Sequence, residues 1–441
     1  MTKGYSKNME LVSYHDLNGI MAFQMALYKT INDKYYLYCG SFKGAGFNIL
    51  DVTDQSSPKL IRFHEICDPE VYQGQSTPKV QVADDILIVA LGGGIPYLQG
   101  VPFDAKNIGG LQIYNLKEDP EHPKLLSSWE TGVKDGMGVH RFMYNGGRYV
   151  HLAADCPGFI GEIYRILDIE DPSNPVEVGR WWLPEQFCDG MKEGTFPIDF
   201  HARKDWAKLH GPPYVQDGLA YCAYWAAGGV IVDVHDVTQP KLIGQIHTTP
   251  PFSGKVAGAR NHTFLPLRGR PYAVLSNEGA RFSSWGKEEI EKTGPGAQPL
   301  NSLHMIDVSN PADPVLIAEF PYPEVPEDYP YPNFNTAGMN GVQGPFGPHN
   351  LHEPMGKPWL EDDPNRVYCC YFHAGMRVYD VSDPYYIKEI AYYIPPNPEK
   401  PLFKVPMPGP LLGTTEDCLV DERGFIYMST YHDGLYILRM K

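Results

Sequence analysis

Four histidines that share one sequence context are the strongest candidates for chemistry. Each stands shortly before an apolar segment and a tight turn, in GVHRFMYNGG, KLHGPPYVQDG, ARNHTFLPLRG and GPHNLHEPMG, and these histidines are His140, His210, His262 and His349. Neutral imidazole is a common protein ligand of Zn, Fe, Cu and Ni, whereas protonated imidazoles held close together repel each other. If the fold brings the four rings together, they predict a transition-metal site.

Three further side chains near these positions are candidates for catalysis. Glu416 of TTEDC aligns with the four histidines in the last segment of the chain, where we expect an acid or a base. His352 and Glu353 follow His349 along the same segment, so they could contact a substrate or orient a ligand.

Other residues are expected to support the metal or the substrate. A metal-bound histidine usually donates its second N–H to a carboxylate or carbonyl, which makes Asp155 and Glu278 candidate partners behind the ligands. The candidates for contact with the substrate are Arg203, Arg260, His373 and His432.

A second interpretation of the histidines needs no ligand. Histidine at the start of an innermost strand could be a repeated structural residue that hydrogen-bonds to a neighbouring backbone. We favour the metal, because histidine is not a typical strand residue and the repeats have diverged at most other positions. Two segments break the series, with Gln24 or Met25 and Thr77 at about the same level.

The elements that would position these residues come from a repeat. Each copy has a strand of alternating apolar residues, a polar D-x-x-x-P turn and a second strand, and each is preceded by another strand pair with a tight turn. The six copies are FNILDVTDQSSPKLIRF, LQIYNLKEDPEHPKLLSSW, YRILDIEDPSNPVEVGRW, VIVDVHDVTQPKLIGQI, LHMIDVSNPADPVLIAEF and MRVYDVSDPYYIKEIAYY. Four antiparallel strands make a blade, and blades bury both faces only by stacking into a ring.

A seventh copy at the end of the chain is incomplete. TTEDCLVDERGFIYMSTYHDGLYILRMK supplies three strands, and ELVSYHDL at residues 10–17 can supply the fourth. Pairing these segments would cover the sheet edges that a linear array exposes. The sequence therefore predicts an all-β, seven-bladed β-propeller that forms one domain over residues 1–441.

These copies resemble the LVIVD-repeat β-propeller family, which implies the fold but only weakly a function. Selenium-binding proteins, which include methanethiol oxidases, are a more distant likeness in architecture. A four-histidine site on a seven-bladed propeller is similar to the Fe(II) site of carotenoid-cleaving oxygenases, although the resemblance is limited to the ligand plan.

Long connections are expected on one face of the propeller only. They all join the second strand to the third, or the fourth to the next blade, and comprise residues 92–110, 183–207, 248–259, 279–302, 321–347 and 396–413. Long loops in compact domains are usually functional, and these are rich in aromatic residues. We expect them to cover the mouth of the channel, where the histidines lie.

The charge composition limits the classes of binding partner that we expect. The net charge of −16, with no basic run, argues against nucleic acid and anionic membranes. The first residues lack a signal-peptide core and no apolar run is long enough to cross a membrane, so we expect a cytoplasmic protein. The eight cysteines contain no C-x-x-C pair, and several lie in strand-like segments, which predicts buried thiols.

Together these features predict a metalloenzyme that acts on a small apolar or aromatic substrate. Histidine ligands with little carboxylate suit an oxidoreductase or oxygenase with Fe favoured, and Cu, Zn or Mn are alternatives. A metal-dependent lyase, hydratase or hydrolase would use the same ligands, and a non-catalytic interaction propeller would use none of them. The sequence leaves the oligomeric state open.

Overall fold

The computed structural model describes residues 4–42, 44–94, 101–102, 104–133, 136–188, 208–225, 227–248, 261–278, 302–331, 334, 346–400, 402 and 411–441. The structure is all-β, with single-turn 3₁₀ helices at Leu17–Gly19 and Pro184–Gln186. Its strands form seven antiparallel sheets, each of which is one blade.

The first four blades follow one another along the chain. Blade 1 contains β3 (Met25–Lys29), β4 (Tyr35–Gly40), β5 (Gly46–Asp51) and β6 (Lys59–Glu65). Blade 2 contains β7 (Gln75–Ser76), β8 (Val80–Ala83), β9 (Ile86–Gly93), β10 (Gly110–Asn115) and β11 (Lys124–Glu130). Blade 3 contains β12 (Val139–Met143), β13 (Tyr149–Ala154), β14 (Ile163–Asp168) and β15 (Val176–Trp181). Blade 4 contains β16 (Tyr214–Gln216), β17 (Leu219–Tyr224), β18 (Gly228–Asp233) and β19 (Lys241–Ile246).

Blade 5 uses consecutive strands only, whereas blades 6 and 7 each take one strand from the N-terminal segment. Blade 5 is regular, with β20 (Asn261–Pro266), β21 (Tyr272–Asn277), β22 (Leu303–Asp307) and β23 (Val315–Glu319). Blade 6 contains β24 (Arg366–Cys370), β25 (Met376–Asp380), β26 (Lys388–Ile394) and, at its outer edge, β1 (Tyr5–Lys7). Blade 7 contains β27 (Thr415–Val420), β28 (Phe425–Thr430), β29 (Gly434–Met440) and β2 (Met9–His15).

Apolar side chains from neighbouring blades form the core and close the ring. One cluster joins blade 7 to blade 1, where Tyr427 and Ile437 pack with Leu27 and Leu37. Other clusters lie between successive blades, and each is built from buried residues of adjacent sheets. This packing confirms the predicted seven-bladed propeller.

The N-terminal segment closes the ring as predicted and also contributes a second strand. β2 pairs with β29 from Met9 to His15, so the second strand of the chain is the outer strand of the last blade. β1, which the sequence did not predict, pairs with β26 and extends blade 6. The N-terminal segment therefore covers the outer edges of two blades.

The repeated D-x-x-x-P segments form the turns between the third and fourth strands. In each turn, an aspartate or asparagine side chain accepts a hydrogen bond from the backbone N–H two residues later, and a second such bond follows three residues further on, or four in blade 2. Examples are Asp51 with Thr53, Asp54 with Ser56, Asp168 with Glu170, Asp171 with Ser173, Asp233 with His235 and Asp236 with Thr238. The spacing of the repeat is thus set by local turn chemistry.

The strand order places the long connections on one face, which we call the loop face. In an antiparallel blade, the second-to-third connection and the connection to the next blade leave from the same end as the start of the innermost strand. Residues 92–110, for example, join β9 to β10 in blade 2. Most residues of the other long connections lie outside the described residues.

Two further observations concern the helices and the cysteines. Among the described residues, no helix has the length and apolar character needed to cross a lipid bilayer. The predicted buried thiols are present in the strands, at Cys39, Cys222, Cys369, Cys370 and Cys418.

Removing β2 should open the ring. Deletion of residues 1–16 exposes the edge of β29 and removes Met9, which is 1% exposed. We expect the free energy of unfolding, measured by urea denaturation, to fall by about 3 kcal/mol or more. Deletion of residues 1–8 removes β1 alone and is the control. Equal stability of the two truncated proteins would contradict the closing role of β2.

Candidate metal centre

The four histidines and Glu416, which the sequence aligned, occupy equivalent positions at the start of the innermost strands of their blades. In blades 3, 5 and 7 the pairing register of the innermost strand shifts at a single residue, and these residues are His140, His262 and Glu416. A β-bulge of this kind redirects a side chain and is common beside active sites. In blades 4 and 6 the backbone N–H groups of His210 and His349 donate to the next strand, at 3.0 and 2.8 Å.

Blades 1 and 2 differ from the sequence alignment by one or two residues. The N–H of Phe23 donates to Gly40 at 2.9 Å, as that of His349 does to Cys370, so Phe23 occupies the level assigned to Gln24 or Met25. In blade 2 the N–H of Ala90 bonds to the carbonyl of Lys79, which places Pro78 rather than Thr77 at this level. The error arose because blades 1 and 2 lack a histidine to anchor the alignment.

The four imidazoles lie beside one another in blade order. Ring centroids are 4.3 Å apart for His140 and His210, 5.0 Å for His210 and His262, and 4.4 Å for His262 and His349. We call these four residues the histidine cluster. The predicted convergence of the histidines is therefore present.

Aromatic rings enclose the cluster at its two sides. The indole of Trp225 lies 4.2 Å from the His210 ring, and the Phe372 ring lies 4.6 Å from that of His349, both between centroids. Phe23 approaches His349 edge-on at 6.2 Å. These rings give the cluster an apolar border and limit its contact with water.

Two carboxylates contact the cluster. Glu278 lies 3.2 Å from Nε2 of His210, and Oε1 of Glu416 lies 3.3 Å from Nδ1 of His349, whose ring also contacts the Glu416 carbonyl at 3.0 Å. One ligand atom from each of His210, His262 and Glu278 can be chosen so that all three lie within 4.8 Å of one another, and all three residues are buried. Glu278, predicted to lie behind the ligands, is therefore close enough to be a ligand itself.

Burial favours the uncharged form of two of these imidazoles, those of His262 and His140. It lowers the pKa of His262 well below its ordinary value, and the charges of His349 and Arg141 act in the same direction. The pKa of His140 is also lowered well below its ordinary value, first by burial and then by His210. Neutral imidazole is the form that binds metals.

Sequence reasoning missed Arg141, which braces the cluster from below. Its guanidinium lies 3.1 Å from Nδ1 of His262 and donates to Glu353 at 2.6 Å. Glu353 also accepts a hydrogen bond from the Tyr214 hydroxyl. A guanidinium only donates hydrogen bonds and stays charged, so it disfavours a second positive charge on His262. The signal was the dipeptide His-Arg in GVHRFM, where a buried charge directly follows a ligand candidate.

The His352 ring is held by backbone groups, and its hydrogen bonds do not involve the histidine cluster. Its Nε2 lies 2.7 Å from the Glu361 carbonyl, and its Nδ1 accepts from the N–H of Val420 at 3.2 Å. Both ring nitrogens are therefore occupied by backbone contacts, and the contact with Val420 joins blade 6 to blade 7. This geometry gives no support to the predicted catalytic role of His352, which stays a prediction.

The remaining predicted residues lie around the loop face. Asp155 accepts from the N–H of Gly138 at 2.9 Å, and burial raises its pKa to about 7. Nε2 of His373 lies 3.0 Å from the Phe334 carbonyl, and His432 accepts from the N–H of Leu402 at 3.2 Å. Among the described residues, Asp155 forms no hydrogen bond or ion pair with the cluster histidines, so its supporting role also stays a prediction. Arg203 and Arg260 lie outside the described residues.

Comparison with known protein families confirms the repeat. The LVIVD repeat family model matches residues 35–63, 163–182, 214–248 and 297–320. The chain thus carries LVIVD repeats, as the six sequence copies predicted. It matches none of the curated proteins with which it was compared.

Solved structures share the propeller architecture. A streptogramin B lyase is 8% identical with a TM-score of 0.53, and the match covers 99% of this chain and 98% of the lyase. The periplasmic gluconolactonase of Pseudomonas aeruginosa is 11% identical with a TM-score of 0.53, covering 92% of this chain and 100% of that one. A chain of the mitotic checkpoint complex is 8% identical with a TM-score of 0.54, covering 98% and 94%. Such low identities show the fold alone.

Protonation of His352 should contribute to acid destabilisation. Burial lowers its pKa to about 4, below the ordinary value of about 6.5, so the unfolded chain takes up a proton first as the pH falls. Stability present above pH 6.5 is therefore lost as the pH falls toward 4. Between pH 7 and 5 we expect His352→Gln to remove about 2 kcal/mol of the pH-dependent loss in unfolding free energy. Identical pH slopes for the variant and the parent protein would refute this assignment.

Proposed function

We propose that the protein is a metal-dependent enzyme whose ion is held on the propeller axis by His210, His262 and Glu278. The observation that carries the proposal is the approach of three ligand atoms to within 4.8 Å in a buried setting. His140 and His349 stand on either side of this triad and offer further nitrogen donors.

The donor set fits a transition metal. Two histidines and one carboxylate with open positions are typical of non-haem Fe(II) oxygenases, so Fe is favoured, with Cu, Zn or Mn as alternatives. The neutral form of His262, which burial favours, and the carboxylate of Glu278 are donors that suit a cation. When bound, such an ion would supply redox or Lewis-acid chemistry to a substrate.

The side chains around the triad have separate tasks in this proposal. Glu416 fixes the orientation of His349 and is the candidate acid or base on that side of the axis. Arg141, held by Glu353, fixes the ring of His262. Arg141 is a positioning residue, because it acts through His262.

The surroundings favour a small substrate with apolar or aromatic character. Trp225 and Phe372 form walls against the outer rings of the histidine cluster, and Phe23 adds an edge. We propose a small organic molecule as the partner and, from the absence of basic runs in the sequence, neither nucleic acid nor membrane; the proposed compartment is the cytoplasm.

Metal content tests the site directly. We expect the purified protein to contain about one transition-metal ion per chain by elemental analysis, and His210→Ala and Glu278→Gln each to lose most of it, because each removes one ligand. His235→Ala is the matched control, since His235 is exposed and lies in a turn. Equal metal content in His210→Ala and His235→Ala would overturn the proposal, and a non-catalytic interaction propeller would then be favoured.

A lyase, hydratase or hydrolase is the second candidate, because two histidines and a glutamate also form zinc sites that polarise water. The lyase and gluconolactonase that share this architecture show that propellers can carry such activities. Turnover of a panel of small aromatic compounds, with and without dioxygen, separates the two. We expect conversion to stop in the absence of dioxygen; conversion that continues unchanged would favour the second candidate.

A further inference from the structure

A buried lysine lies on the axis beside the histidine cluster, in a blade that contributes no histidine. Lys79 directly precedes β8 in blade 2 and is 3% exposed. Its ammonium nitrogen lies 4.0 Å from the centroid of the Phe23 ring, and Phe23 in turn approaches His349. The amine is therefore close to the proposed metal centre but is not part of it.

The amine of Lys79 has no hydrogen-bond or ion-pair partner among the described residues. Three carboxyl groups act on this amine at longer range, and each contacts another group: Glu416 the ring of His349, Glu353 the guanidinium of Arg141, and Asp417 the N–H of Met25. Lys357, a second buried lysine, shows the contrast, because its amine donates to the side chain of Gln81. A buried lysine without such a partner is unusual, since burial disfavours its charged form.

The surroundings make this amine easier to deprotonate than an exposed lysine. Burial is the largest effect and Arg141 the next, and together they lower the pKa of Lys79 to about 7 against the opposing charges of Glu416 and Asp417. A lysine that is desolvated, or that lies next to another cation, is a typical activated nucleophile. Burial supplies the desolvation here, and Arg141 is the second cation.

We propose that Lys79 is a reactive amine that condenses with the carbonyl group of a small aldehyde or ketone bound on the propeller axis. The nitrogen lone pair forms a bond to the carbonyl carbon, and the two amine hydrogens leave with the carbonyl oxygen as water. The product is a carbon–nitrogen double bond, and no oxidant or reductant is consumed. This deepens the proposed function by giving the substrate class a carbonyl group, but the condensation itself needs no metal.

Reductive trapping tests the proposal. The full-length protein is incubated at pH 7 with benzaldehyde and sodium cyanoborohydride, with and without prior metal removal, and the modified lysines are found by peptide mass mapping. We expect one benzyl group per chain on Lys79, formed at least about tenfold faster than on surface lysines because more of the amine is unprotonated. Metal removal should leave the adduct in place, which separates this result from the fate of the metal site.

Two variants control the experiment. Lys79→Arg keeps the positive charge but loses the nucleophile, so the fast adduct should disappear. Lys357→Arg changes the partnered lysine and should label as the parent protein does. If Lys79→Arg is poorly folded by thermal melting, the peptide map of the parent protein still gives the site. Equal labelling of surface lysines and Lys79 in the parent protein would overturn the proposal.

Discussion

Closure of the ring is the constraint on which the rest of the structure depends. A single blade leaves two apolar faces exposed, and only a complete circle covers them all. Here β2 supplies the outer strand of blade 7, while Tyr427 and Ile437 pack against blade 1. Closure fixes each innermost strand beside the axis. Residues as distant in sequence as His140 and Glu416 therefore lie in or next to the same histidine cluster. The candidate site is therefore a consequence of the fold's geometry.

Closure also creates an electrostatic problem at the axis, where charged side chains are removed from water. Isolated buried charges are costly, and pairing is the usual remedy. Arg141 and Glu353 form such a pair. The pKa values of His140 and His262 are lowered, so these rings avoid the cost by staying neutral. Glu278 and Glu416, by contrast, face imidazoles, which is an arrangement that a bound cation would stabilise.

The sequence predicted the fold well because its signals are local. The repeated aspartates make their turn bonds within two residues, and alternating apolar residues mark the strands. The histidines were found because each precedes a recognisable strand and turn. Lys79 and Arg141 were missed because their neighbours come from other blades, and a single strand gives no sign of those contacts. β1 was missed because Tyr5–Lys7 is too short to show a pattern. The position of Glu278 relative to the ligands depends on distances that spacing cannot give.

The axis contacts also hold the candidate site independently of the long connections on the loop face. Glu353 belongs to blade 6, yet its carboxylate is bound by Arg141 of blade 3 and Tyr214 of blade 4, and Gln24 of blade 1 lies 3.5 Å away. One side chain thus ties four blades together below the histidine cluster. Sites built on strands hold their geometry better than sites on loops. The histidine cluster is held by the braced strands, so its geometry does not depend on the long connections.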